Sequence, residues 1–178
     1  VKSAGIDPSN GKELFYAKDG SYTYDFSYDD EVICGNTRPD VEGVIGSSLN
    51  WKGFSVSLNF RYQMGADVFN EALYSKVENI SRSDLNKNQD KRALYERWQE
   101  EGDIVRFKNI ASAETTPMSS RFVQEENVLT LESVYLGYEF YDGWIKKLGL
   151  SSLKFQVSMR DVFRASTIRS ERGISYPF

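Results

Sequence analysis

The stretch Phe54-Ser55-Val56-Ser57-Leu58-Asn59-Phe60-Arg61-Tyr62-Gln63-Met64 decides the fold class of this chain. Apolar or aromatic side chains hold every even position and polar ones every odd position, without exception. A period of two is that of a β-strand. At about 3.3 Å per residue the stretch extends ~36 Å, and tilted by about 45° it crosses ~25 Å, the height of the apolar band of an outer-membrane barrel. Most strands of soluble domains are about half as long.

Working outward, Ile45, Leu49 and Trp51 alternate with Gly46, Ser48 and Asn50, and the short connection Trp51-Lys52-Gly53-Phe54 predicts a tight antiparallel hairpin over 44–64. A second pair follows over 128–163. Val134, Leu136, Tyr138 and Phe140 alternate with Ser133, Tyr135, Gly137 and Glu139, and Leu153, Phe155, Val157 and Met159 alternate with Lys154, Gln156, Ser158 and Arg160. Alternation alone also suits a soluble sandwich. Aromatic residues near the expected strand ends, Trp51, Phe54, Tyr62, Tyr138, Phe140, Tyr141 and Trp144, fit the interfacial girdles of a barrel better.

The connections are lopsided: short at 51–53 and around 142–149, long over 65–127. Barrels of the outer membrane join strands by short turns on one side and long loops on the other, whereas a long unstructured loop is unusual in a compact soluble domain. Within the long connection, Asp90 to Glu101 is rich in helix formers, opens on a capping Asp and is followed by Gly102, so one short loop helix is expected. The first 43 residues carry turn chemistry at Asp7-Pro8-Ser9-Asn10-Gly11, Asp19-Gly20 and Arg38-Pro39-Asp40 and read as loop.

Composition narrows function. The 178 residues include no histidine and one cysteine, Cys34, which excludes histidine triads, Cys/His zinc sites and an internal disulfide framework. A formal charge of −4 with interspersed signs gives no nucleic-acid signature. Aromatic residues make 14% of the chain. No apolar run approaches the ~18 residues of a transmembrane helix, and the first residues lack the charged and apolar regions of a signal peptide. Neither point bears on strands that cross a membrane.

Several pieces in order resemble one family, the SusC/RagA-type TonB-linked outer-membrane proteins. They are Gly5-Ile6-Asp7-Pro8 with Gly11 and Asp19-Gly20; Gly35-Asn36-Thr37-Arg38-Pro39; Phe60-Arg61-Tyr62-Gln63-Met64-Gly65; Trp98 with Glu101-Gly102-Asp103-Ile104; Ser120-Arg121-Phe122-Val123; Val128 through Tyr138; and Ser175-Tyr176-Pro177-Phe178. Arg160-Asp161-Val162-Phe163 departs from the family's more frequent Asn-Leu-Phe, and the stop at Phe178 reads as a fragment or a degenerate C-terminal piece.

The resemblance implies an all-β fold. It is an antiparallel segment of a transmembrane barrel, roughly five of about 22 strands, with long extracellular loops. In that layout residues 1–43 and 65–127 are extracellular loop, 44–64 and 128–163 are hairpins, and 164–178 hold a loop and the start of a last strand, with the plug domain absent. It also implies a transporter, not an enzyme, in the outer membrane of a Bacteroidota-like Gram-negative cell. Its partners would be a SusD-like surface lipoprotein, the TonB complex through the missing N-terminal part, membrane lipid and an oligosaccharide or peptide substrate, with no cofactor and no metal.

Loop residues Tyr95, Arg97 and Trp98 are the candidate ligand contacts, because rings stack on sugars and guanidinium pairs with carboxylate. The acidic run Asp25, Asp29, Asp30 and Glu31 lacks EF-hand spacing and reads as solvated loop. Cys34 is expected to be an unpaired loop or strand-edge residue, and Asp7 and Asp19 turn residues. The competing class is a soluble β-rich carbohydrate-binding module. The two differ over whether the apolar faces at 54–64 and 153–159 are exposed or sealed in a two-sheet core.

Overall fold

The computed structural model describes residues 1–112, 114–141 and 143–168. The chain divides into two compact units. One is a sheet unit of residues 39–65 and 126–167; the other gathers residues 1–38 and 66–125, with Ile168.

In the sheet unit, β4 (Val41–Trp51), β5 (Phe54–Phe69), β6 (Val123–Phe140) and β7 (Leu153–Ser166) lie side by side in chain order. β5 and β6 continue past this unit at their far ends. β4 pairs antiparallel with β5 without interruption from Val41 opposite Met64 to Trp51 opposite Phe54. β6 pairs antiparallel with β7, broken once between Leu131 and Ser133, where Asp161 takes a φ of 50° in the opposing strand. Contacts from β5 to β6 also run in opposite directions, with the Phe54 and Tyr138 rings 4.3 Å apart and Asn59 Nδ2 donating to Ser133 Oγ at 2.9 Å.

Strand lengths of 11, 16, 18 and 14 residues exceed the typical five or six. The alternation sorts their side chains by face. Opposed residues share a face, so Leu49 meets Val56, and Val157 meets Leu136, on the apolar side. That side is open: Leu49, Phe155 and Val157 are 64%, 60% and 61% exposed. The polar side carries its own ladder, including Tyr135 Oη to Gln156 Oε1 at 2.5 Å. The exposed outcome at 153–159 is the one expected of a barrel wall, and the apolar members of 54–64 are exposed or half-buried.

The turn between β4 and β5 places Lys52 and Gly53 at φ of 47° and 89°, the two positive angles of a type I′ hairpin, whose twist matches its strands. A side chain at Gly53 would also meet the Glu139 carbonyl oxygen at 2.6 Å, where the Glu139 N–H now bonds Gly53 O at 2.9 Å. Gly53→Ala is therefore expected to cost about 2 kcal/mol, from backbone strain and a clash that loosens β5 from β6. A lowered urea midpoint of unfolding would register it, while Lys52→Asn should be tolerated because Asn accepts the left-handed region.

The second unit corrects two expectations. Residues 1–43 do not form loop throughout, since β1 (Ser3–Ile6), β2 (Glu13–Tyr16) and β3 (Tyr22–Thr23) make a small antiparallel sheet. β4 likewise begins at Val41 rather than 44. The helix expected over 90–101 shrinks to α1 (Arg92–Tyr95). Asp90 does support its start, with Oδ1 accepting the Arg92 N–H at 2.9 Å, but the chain leaves the helix at Glu96 to pair Arg97 with Phe107. A second short helix, α2 (Trp144–Lys147), sits between β6 and β7. The last strand expected within 164–178 falls largely outside the described residues, as does Ser175-Tyr176-Pro177-Phe178.

Candidate functional site

The long connection 70–122 is built around an apolar cluster of Leu73, Val77, Ala93, Phe107 and Phe122, with Phe69, Tyr74 and Ile80 packed against it. Leu73 and Val77 reach it from one side of a π-helical turn, Leu73–Glu78, because residues four apart share a face. Asn70 fastens the entry: its Oδ1 accepts the Leu73 N–H at 3.1 Å and its Nδ2 donates to Gln124 Oε1 at 2.6 Å.

Beside this cluster lies a buried ionic network. Arg121 Nη2 donates to Glu13 Oε2 and to Glu78 Oε1, both at 2.7 Å, and Nη1 also reaches the Arg106 carbonyl. Thr116 Oγ1 donates to Glu78 Oε1 at 2.8 Å, and Ser119 Oγ to Glu13 Oε1 at 2.6 Å. The Glu78 side chain is 0% exposed. Burial pulls the Arg121 pKa down, but the hydrogen bonds and charges of Glu13 and Glu78 outweigh it and leave the guanidinium pKa raised. β2, the π-helical turn and the approach to β6 are thus tied by one cation.

The three residues expected to face ligand are put to different uses. Arg97 is 4% exposed. Its Nη1 donates to the Lys108 carbonyl at 2.9 Å and its Nη2 to the Glu78 carbonyl at 3.1 Å, while burial holds its pKa below the usual value. Trp98 lies across Gly11, where an added Cβ would come within 2.5 Å of the ring, and its Nε1 donates to the Pro8 carbonyl at 2.9 Å. Tyr95 is 79% exposed. Arg97 and Trp98 hold the loop; Tyr95 is presented by it.

A cleft of about 550 Å³ opens in the same unit. Ile80, Leu85 and Ile110 contribute apolar wall, and Arg82, Arg97 and Lys108 contribute cations. Lys108 Nζ donates to Asn79 Oδ1 at 3.4 Å and to the Glu114 carbonyl. A neighbouring cleft of about 410 Å³ shares Lys108, Ser112, Glu114 and Thr115 with it and adds Lys12 and Asp25. Sequence reading missed Arg82, Lys108 and the ionic network. Only Arg121 carried a signal, as part of Ser120-Arg121-Phe122. Among the described residues no group of acidic, cysteine or histidine side chains is arranged to hold a metal.

Comparison with known proteins bears on what this scaffold belongs to. No family model matches. TonB-dependent receptor P39 and TonB-dependent receptor P3 of Formosa agariphila are each 24% identical to the chain, over 157 and 152 residues. These alignments cover 86% and 85% of the chain but only 15% and 14% of the relatives, so the chain spans a small part of their length. The solved RagAB peptide importer in its open-open state superimposes with a TM-score of 0.75 at 22% identity, covering 92% of this chain and 18% of that one. The RagAB peptide transporter gives 0.74 at 22% identity, covering 93% and 19%. At such identity the structures speak to the fold. The relatives are receptors and importers, not enzymes. The chain is thus similar in sequence to TonB-dependent receptors and in fold to the RagAB importer, the likeness that its ordered motifs led one to expect.

Proposed function

We propose that the chain is part of the barrel wall and outer loops of an outer-membrane transporter. That transporter imports oligosaccharides or peptides with energy passed through TonB, and works with a SusD-like surface lipoprotein. The observation that carries this reading is the four-stranded sheet, whose strands are long enough to cross a membrane and whose apolar face is left open. At the short-turn end, Phe54, Tyr138, Phe140, Trp144 and Phe155 form a chain of ring contacts between 4.3 and 6.1 Å, as an interfacial girdle would. The edges β4 and β7 await further strands, since a spanning sheet must close to satisfy its backbone. The likeness in fold to the RagAB peptide importer supports the cargo class and the two-component arrangement. A soluble carbohydrate-binding module would seal these apolar faces in a core. In the loop unit, Tyr95 is the ligand-facing residue of the three candidates, with Arg97 and Trp98 positioning it.

Uptake in the parent bacterium tests this. Deleting the gene for the full-length receptor should abolish import of either a labelled peptide mixture or a labelled oligosaccharide. The full-length gene should restore it, and an uncoupler should block the restored uptake. Undiminished import of both cargoes in the deletion strain would remove the transport reading.

A further inference from the structure

The cleft over Lys108 has a composition that selects its ligand. Of the charged groups in its wall, two are already committed inside the fold: Arg97 to two backbone carbonyls, and Glu78 to Arg121 and Thr116. Lys108 and Arg82 differ. Among the described residues neither is ion-paired to a carboxylate, Arg82 is exposed, and half-buried Lys108 uses two of its three ammonium donors on uncharged oxygens. Burial lowers the Lys108 pKa against the raising charge of Glu78, as expected of a poorly hydrated cation. Ile80, Leu85 and Ile110 form the aliphatic part of the remaining wall, short polar side chains and the exposed Glu114 carboxylate complete it, and among the described residues no aromatic ring lines the cleft.

A cleft of this size accepts a few residues of an extended chain. Sugars are gripped by stacking on rings, which this cleft lacks. A carboxylate beside an aliphatic side chain matches the two cations, Lys108 and Arg82, which outnumber the one uncommitted carboxylate, Glu114, and matches the aliphatic part of the wall. We propose that this cleft captures the C-terminal carboxylate of a short peptide, with Lys108 and Arg82 bonding the anion and Ile80, Leu85 and Ile110 receiving the apolar side chain of the last residue. The inference rests on the transporter reading and narrows its cargo to peptide. It assigns the long loop a role in recognition as well as in shaping the barrel mouth.

Binding to the purified full-length receptor tests it with three probes: a leucine-terminated tripeptide, the same tripeptide as its C-terminal amide, and a neutral oligosaccharide of similar size. The acid should bind about tenfold more tightly than the amide, the scale of hydrogen bonds to a charged group. Lys108→Met and Arg82→Gln should each bring that ratio to within about threefold. Arg82→Gln guards against loss of folding, because the Arg82 side chain is exposed. Equal binding of acid and amide by the unmodified receptor overturns the carboxylate site while leaving import intact. Binding of the oligosaccharide alone overturns the peptide assignment, again without touching import. A full acid preference in both variants overturns the assignment to these residues. Binding of none of the three, with no uptake in the genetic test, removes both readings.

Discussion

Arg121→Ala should destabilise the loop unit by about 3–5 kcal/mol, the usual cost of deleting one partner of a buried ion pair. The size follows from what stays behind. Glu78 is fully buried, and Glu13 nearly so, and both direct oxygens at the one guanidinium. Thr116 and Ser119 give each carboxylate a hydroxyl, and the Lys108 N–H adds a weak contact to Glu78 at 3.4 Å, but no other cation forms an ion pair with either among the described residues. Removing Arg121 therefore strands two negative charges in a poorly solvated place, and the desolvation that their pairing offset is left uncompensated. Amide hydrogen exchange on the full-length receptor reads this locally, as a rise of a hundredfold or more through Leu73–Glu78 and the strand β2. Adding Glu13→Gln and Glu78→Gln to an Arg121→Met change should recover much of the protection, since neutral groups of similar size avoid the stranded charge. A rise below about fivefold in Arg121→Ala would mean that water reaches these carboxylates and that the network is peripheral to the loop's stability.

The network also explains which parts of this molecule could be read from its residues. β5 was legible because one environment covers each face along its length, so hydrophobicity alternates from Phe54 to Met64 without a break. β2 was not. In Glu13-Leu14-Phe15-Tyr16 the inward positions are Glu13 and Phe15, so a charged residue stands where alternation demands an apolar one. Its justification is Arg121, 108 residues away, which no local window contains. The shortened helix has a similar cause. Residues 90–101 favour helix by propensity, but an isolated helix of that length is marginal. Here the bonds of Arg97 to the Lys108 and Glu78 carbonyls, and of Trp98 to the Pro8 carbonyl, hold the chain extended. The same distant partners turned two expected ligand contacts into supports. The cleft was invisible for a related reason: Ile80, Arg82 and Lys108 meet only because the apolar cluster folds one half of the loop against the other.

Val157→Arg and Ser158→Arg, adjacent residues given the same substitution, should part sharply in the full-length barrel. Val157 stands opposite Leu136 on the apolar face, and Ser158 opposite Tyr135 on the polar one. Counting from the strand start at Leu153, Val157 lies about 9 Å, roughly a third of the way, into an apolar band of ~25 Å, where a lipid-facing arginine costs about 2 kcal/mol, between the interfacial and midplane values. In the proposed barrel its neighbour turns the same charge toward the interior, which is polar in outer-membrane barrels, on the side that already carries Gln156 and Arg160. Folding of the purified receptor into lipid vesicles, followed against urea, should place Val157→Arg below the unmodified protein by that amount and Ser158→Arg within about 1 kcal/mol of it. Because strand propensity, neighbouring turns and added charge are shared by the two variants, the difference isolates the medium outside each face. Equal losses would mean that both faces of β7 meet the same surroundings, and the sheet would then have to be covered by protein rather than by lipid.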